Sequence, residues 1–212
     1  MNYLSHAAVA SWRRPEAAFV LGAMLPDFAA MIGARAPATA HADLGAGMRF
    51  HYRTDELFHR APGFIELTRS AFEWLIKRGV ERGRARAISH VGVELLLDSD
   101  FSRNEPVQRA YVGALQGAAE PRLGQHVAWA VPEDRLGFEN LRVRLLGRGV
   151  TSDDLAPEVI AQRLRRALSG RPRLALDDAS ERVACEWVAV ARPDVSAQAP
   201  GLARDLAAQL GC

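Results

Sequence analysis

The stretch GMRFHYRTDELFH, residues 47–59, places His51 and Asp55 four residues apart. Later in the chain His90, Glu94 and Asp98 repeat that spacing. Residues at i and i+4 lie on one face of a helix, so each segment is expected to direct an imidazole and at least one carboxylate the same way. Two such faces turned toward each other would form a metal site.

Helical periodicity continues on both sides of this stretch. Apolar residues recur at i, i+3, i+4 and i+7 from end to end, whereas the alternation typical of strands is scarce. The sequence therefore predicts an all-α fold. The chain has 212 residues and no long or biased linker, so we expect one helical bundle domain over residues 1–212.

Prolines, glycines and capping residues set the expected helix ends. Leu25-Pro26-Asp27 is expected to break the second helix and to leave Asp27 near the N-terminus of a short new one, and Ser152-Asp153-Asp154 is expected to cap a later helix. The predicted helices cover residues 3–11, 16–22, 43–60, 64–77, 82–98, 106–118, 125–146, 152–168, 177–191 and 194 onward.

Composition excludes several classes of protein. Hydrophobic residues make up 49% of the chain and charged residues 25%, which is typical of a globular protein. With two cysteines and no CxxC pair, neither a disulfide framework nor a zinc finger is expected. The first residues lack the order of a signal peptide, and no run approaches the ~20 apolar residues of a membrane span. We therefore expect a cytoplasmic protein without a membrane partner.

Each candidate residue also has a structural explanation. His51 and Asp55 could belong to a solvated face, and His6 could be a core histidine. Glu94 lies on a mostly apolar helix, and burying an unpaired carboxylate costs several kcal/mol, so it needs a partner. That partner is either a metal shared with His90 or an arginine such as Arg53. Three other histidines are expected on the surface: His41, His59 and His126.

Three motifs resemble the N-terminal motifs of the bacterial acyl carrier protein phosphodiesterase family, in the same order and spacing. They are MNYLSH at residues 1–6, LGAMLPDF at residues 21–28 and GMRFHYRTD at residues 47–55. The resemblance continues more loosely through DSDF at residues 98–101 and an arginine-rich segment, residues 160–174. It is weak between about residues 104 and 149.

The resemblance implies a helical fold related to the HD-type phosphohydrolases and a manganese cofactor. It also implies hydrolysis of the phosphodiester that joins 4′-phosphopantetheine to holo acyl carrier protein. Carried over by position, the metal ligands would be His6, Asp27, His51 and Asp55, supported by Asn2. Asp55 or Glu94 would act as general base, and Arg53 would contact the phosphate.

The chain departs from the family in its central helix. Where the family shows an adjacent Asp-His pair, the aligned position reads Glu94-Leu95. The acid survives, but leucine replaces the histidine. His90 lies one helical turn before Glu94 and could supply an imidazole from the same face, which is an inference from helix geometry. This departure leaves the metal and the exact reaction open.

Arginines supply nearly all the positive charge, and two clusters could meet an acidic carrier protein. The clusters are Lys77, Arg78, Arg82, Arg84 and Arg86, and Arg163, Arg165, Arg166, Arg171 and Arg173. Either cluster could instead be a solvated helix face. Aromatic residues are not interleaved with them, so nucleic acid is not expected as a partner. The alternatives to a carrier protein phosphodiesterase are a hydrolase of small phosphoesters or nucleotides and a noncatalytic module that binds an acidic protein.

Overall fold

Nine α-helices and one 3₁₀ helix make up the regular structure of residues 1–101, 103–119, 122–149 and 156–212, which are the residues that the computed structural model describes. Within these residues the only β-type pairing is a single bridge between Ala38 and Ala128. The all-α prediction is confirmed. The helices are α1 (Tyr3–Arg13), α2 (Ala17–Met31), α3 (Ala42–Arg60), α4 (Pro62–Ile76), α5 (Arg82–Phe101), α6 (Glu105–Gly117), the 3₁₀ helix (Leu123–His126), α7 (Pro132–Arg148), α8 (Pro157–Leu168) and α9 (Asp178–Leu210).

The chain divides into two compact units. The first consists of Met1–Phe58, Phe101–Thr151 and Asp205–Cys212, and the second of His59–Asp100 and Ser152–Arg204. The division falls within α3, α5 and α9, so each of these helices contributes residues to both units. One domain spanning residues 1–212 stays a prediction.

Helix α2 is central to the first unit, where it packs against α1, α6 and α7. Residues 19–25, 28 and 29 of this helix are buried, so burial extends around all its sides, which is typical of a core helix. Aromatic rings join the neighbouring helices: the Tyr3 ring centroid lies 5.6 Å from that of Phe28 and 6.1 Å from that of Tyr111. This packing holds α1 and α2 together, which matters because both carry predicted metal ligands.

The predicted break at Pro26 is wrong, because α2 continues through it to Met31. A proline inside a helix costs about 3 kcal/mol. Leu25 and Phe28 are fully buried on either side of it, and burying each such side chain contributes roughly 1.5–3 kcal/mol. Core packing therefore outweighs the local penalty, and Asp27 lies in the last turns of a helix rather than near an N-terminus.

Two glycines allow α2 and α3 to meet backbone to backbone. A Cβ atom on Gly47 would lie 2.2 Å from the Phe19 carbonyl oxygen, and one on Gly22 would lie 2.3 Å from the Leu44 carbonyl oxygen. Real Cβ atoms do not approach backbone so closely, so only glycine fits at both positions. The close crossing brings the side chain of His51 against the backbone of α2.

In the second unit, Trp187 of α9 packs against α5 at Gly92, where a Cβ atom would lie 2.4 Å from the indole ring. Helix α9 is continuous, so the prediction of separate helices at 177–191 and from 194 onward is wrong. Val188 and Val195 are buried on either side of Pro193, and their packing holds the helix through the proline.

No helix within the described part of the chain is both long and apolar enough to cross a bilayer.

Prolines mark the starts of two further helices, α7 and α8. Helix α7 begins at Pro132 rather than near residue 125, because a proline suits the first turn of a helix, where its missing N–H is not needed. Helix α8 begins at Pro157 for the same reason. The predicted cap at residues 152–154 lies outside the described residues.

Candidate metal centre

Three predicted ligands from three helices meet in the first unit. His6 of α1, Asp27 of α2 and His51 of α3 each place one nitrogen or oxygen within 4.8 Å of the others. His6 is 1% exposed and His51 is 5% exposed. Two imidazoles and a carboxylate at this spacing are suited to hold a divalent transition metal.

His51 is oriented by the backbone of α2. Its Nδ1 lies 2.9 Å from the Ala23 carbonyl oxygen. A carbonyl can only accept a hydrogen bond, so Nδ1 carries the proton and Nε2 keeps its lone pair. Burial lowers the pKa of His51, which keeps the ring neutral. This is how metal-binding histidines are commonly held: one nitrogen donates to the protein and the other faces the ion.

His6 is buried without a hydrogen bond to either ring nitrogen from any described residue. Its ring stacks on that of His51 at 3.9 Å between centroids. Its Nε2 lies 3.4 Å from Asp55 Oδ1 and 3.8 Å from Asp27 Oδ2. Burial lowers the pKa of His6 to about 3, more than the nearby Asp55 raises it. Buried polar atoms nearly always have partners, so this neutral ring is poised to bind one.

Asp55 completes the negative side of the cluster. Its Oδ1 accepts a hydrogen bond from the amino group of Met1 at 2.5 Å. Burial acts to raise the pKa of Asp55, but His6 and the Met1 ammonium outweigh it and hold that pKa below its ordinary value. The carboxylate is therefore ionised and already faces a positive charge. Asn2 supports the arrangement, because its Oδ1 accepts from the Tyr3 N–H and caps α1.

His90 and Glu94 lie in a second group, together with His59, in the second unit. His59 Nε2 lies 3.1 Å from Glu94 Oε1, and His90 Nε2 lies 3.3 Å from the same oxygen. Burial acts to raise the pKa of Glu94, but the two histidines outweigh it and lower that pKa below its ordinary value. The structure thus divides the predicted ligands between two groups instead of gathering them in one.

His59 was expected on the surface, yet it is only partly exposed and contacts Glu94. The sequence did carry a signal for it. His59 follows Asp55 by four residues, just as Asp55 follows His51, so all three lie along one face of α3. Extending the pattern by one turn would have identified it.

Arg53 and Asp98 have other partners than those expected. Arg53 is 58% exposed and pairs with Glu56 at 3.5 Å. It is two residues from both His51 and Asp55, and residues two apart on a helix do not share a face. Its position therefore does not favour contact with a phosphate held by the cluster, or pairing with Glu94. Asp98 is fully buried and lies 3.8 Å from an Arg163 nitrogen.

The basic clusters are partly neutralised by acidic residues of the same unit. Arg84 donates a hydrogen bond to the Asp177 carboxylate at 2.6 Å. Arg165 donates to Asp178 at 3.1 Å and also to Glu181. Paired arginines attract an acidic partner less strongly than unpaired ones, because their nearest counter-charge is already supplied. The clusters are therefore weaker indications of a docking surface than their arginine count suggests.

Comparisons with protein-family models, with curated proteins and with solved structures each returned no match. Membership of the acyl carrier protein phosphodiesterase family therefore stays a prediction.

Proposed function

We propose that this protein is a metal-dependent phosphohydrolase whose ion is held by His6, Asp27 and His51. The observation that carries the proposal is the buried ring of His6, which lies beside an oriented imidazole and two carboxylates. Among the described residues neither of its nitrogens has a hydrogen bond of ordinary geometry, and the nearer of the two carboxylates is that of Asp55, at 3.4 Å. The two imidazoles and one carboxylate of this cluster fit manganese and the other first-row divalent ions. Such an ion would lower the pKa of bound water and neutralise the oxygens of a phosphate group.

The residues of the cluster have separable roles in this proposal. His6 and His51 supply neutral imidazoles, and the Ala23 carbonyl fixes the tautomer of His51. Asp55 is a weaker general base than an ordinary carboxylate, because its pKa is held low. We therefore do not assign Asp55 to proton abstraction; its carboxylate adds negative charge beside His6. Glu94, whose pKa is also lowered, is not favoured as the base either.

The substrate that we propose is holo acyl carrier protein, cleaved at the phosphodiester of its 4′-phosphopantetheine arm. Support comes from the resemblance of residues 1–6, 21–28 and 47–55 to the family motifs. A small phosphoester is the second candidate, because Arg84 and Arg165 are paired within their own unit and leave less free charge for an acidic protein. Both candidates require the same hydrolytic chemistry.

Asp27→Asn is expected to lower kcat/KM at least about 100-fold, because the amide keeps the shape of the side chain but loses the charge that binds the ion. His51→Ala should do the same. The measurement is mass-spectrometric loss of phosphopantetheine from purified holo acyl carrier protein with Mn²⁺, run beside hydrolysis of a small chromogenic phosphodiester.

His126→Ala is the matched control, because it removes an exposed histidine from the same unit and should leave the rate unchanged. Cleavage of the small diester but not of the carrier protein would identify the second candidate. The folding of Asp27→Asn and His51→Ala is verified by circular dichroism. If both folded variants cleave at the wild-type rate, this cluster is not the catalytic centre.

A further inference from the structure

We propose that His59, His90 and Glu94 form a second divalent-metal site, selective for zinc-like ions. The site lies entirely within the second unit and does not depend on the proposed hydrolase activity. It combines residues of α3 and α5, with His90 and Glu94 one helical turn apart. Two imidazoles and one carboxylate are a common protein ligand set for catalytic zinc.

The spacing of the ligand atoms fits a tetrahedral ion. Zinc binds nitrogen and oxygen at about 2.0–2.1 Å, so two ligand atoms on a tetrahedral ion are about 3.3 Å apart. Glu94 Oε1 lies 3.1 Å from His59 Nε2 and 3.3 Å from His90 Nε2. The two histidines place ligand nitrogens within 4.8 Å of each other, so a modest turn of the rings would let all three side chains bind one ion.

The three side chains are held in place before any ion binds. The His59 and His90 rings stack at 5.0 Å between centroids. Phe64 packs edge-on against both rings, at 5.4 Å from His59 and 5.3 Å from His90. Phe64 is itself 3% exposed, so it forms a rigid apolar wall on one side of the group. Such pre-organisation reduces the ordering that binding would otherwise require.

A metal ion could reach the three side chains directly from solvent. The side chain of His90 is 47% exposed and that of His59 is 33% exposed, whereas that of Glu94 is 12% exposed. A carboxylate this buried needs compensation of its charge, which the two histidine Nε2–H groups supply in the metal-free protein. A cation would supply it instead once each ring carries its proton on Nδ1 and turns the Nε2 lone pair to the ion. The exposed side of the histidines leaves room for water or another ligand to fill the remaining coordination position.

The ligand set also predicts which metals bind. Imidazole favours Zn²⁺, Co²⁺, Ni²⁺ and Cu²⁺, and affinity for such sites rises along the first-row series from Mn²⁺ toward Cu²⁺. With two nitrogen ligands and only one carboxylate, this site should bind Zn²⁺ and Co²⁺ more tightly than Mn²⁺ and should not retain Mg²⁺.

The test is Co²⁺ uptake by the chelator-stripped full chain, followed by equilibrium dialysis with metal analysis and by visible absorption. His90→Ala is expected to bind one equivalent less than the wild-type chain, or to bind that equivalent at least about 100-fold more weakly. Glu94→Gln, which keeps the side-chain shape, should show the same loss of Co²⁺ binding. Zn²⁺ should displace the cobalt, and Mg²⁺ should not.

His126→Ala is again the matched control. His41 and His126 also place their rings close together, at 5.1 Å, but they belong to neither of the groups suited to hold a metal. The control should retain the wild-type stoichiometry. Equal Co²⁺ uptake by the wild type, His90→Ala and Glu94→Gln, with all three folded, would overturn the site. Loss of an equivalent in His51→Ala alone, without loss in His90→Ala, would do so too and would leave the proposed function standing.

Discussion

Gly47→Ala is expected to destabilise the protein by about 3 kcal/mol, the upper end of the usual cost of overpacking, because a methyl group there has no space. Its Cβ atom would lie 2.2 Å from the Phe19 carbonyl oxygen and 2.8 Å from the Ala23 amide nitrogen. Both are backbone atoms of α2, so neither can turn aside as a side chain would. Relief requires α2 and α3 to separate, which would also lengthen the hydrogen bond between His51 and the Ala23 carbonyl.

Gly45→Ala, two residues earlier in α3, is the matched control. A Cβ atom at Gly45 would meet only side-chain atoms, the nearest at 3.5 Å. Alanine is a better helix former than glycine, so this variant should be up to about 1 kcal/mol more stable than the wild type. Urea denaturation of the three chains gives the comparison. Similar stabilities for Gly47→Ala and Gly45→Ala would contradict the close crossing of α2 and α3.

Acidification is expected to destabilise the metal-stripped protein through His6. An unfolded histidine has a pKa near 6.5, whereas in the folded state burial lowers the pKa of His6 to about 3. Between these values the unfolded chain binds a proton that the folded chain does not, so stability is present above pH 6.5 and is lost as the pH falls. From pH 7 to pH 5, His6 alone should account for about 2 kcal/mol. His51 acts in the same direction, because its pKa is also lowered.

The free energy of unfolding at pH 7 and pH 5, measured with a chelator present, tests this expectation. His6→Leu replaces the imidazole with an apolar side chain of similar size and so removes the titrating group. From pH 7 to pH 5, the free energy of unfolding of this variant should fall by about 2 kcal/mol less than that of the wild type. His126→Ala should retain the full pH dependence. The pH range lies above the ordinary pKa of the carboxylates, so they contribute little. Parallel losses in the wild type and His6→Leu would show that His6 is not the group responsible.

Helix content was predictable because it follows from local patterns. The ends of α1, α3, α4 and α6 lie within two residues of their predicted positions, since caps and breakers act over a few residues. The prolines within helices were the failures. Pro26 and Pro193 are strong local breakers, but burial of the flanking residues outweighs them. That burial depends on segments distant in sequence and cannot be read from a local window.

The candidate site was predictable only in part. The i, i+4 spacing placed His51 with Asp55 and His90 with Glu94, because helix geometry alone aligns such residues. His6 and Asp27 entered through the family resemblance, and His59 was missed. No spacing along the chain indicated that the candidate ligands would separate into two groups, each with its own histidine pair.

The all-helical fold and the helix faces that carry histidines and carboxylates can be predicted from the residues alone, because both depend on periodicity within single helices. Tertiary structure decided which faces meet. Gly22 and Gly47 let α2 and α3 cross in contact, and that crossing joins His51 to Asp27 and to the backbone of Ala23. Burial then lowered the pKa of both His6 and His51, so it was the packing of α1, α2 and α3 that made two ordinary histidines into neutral imidazoles.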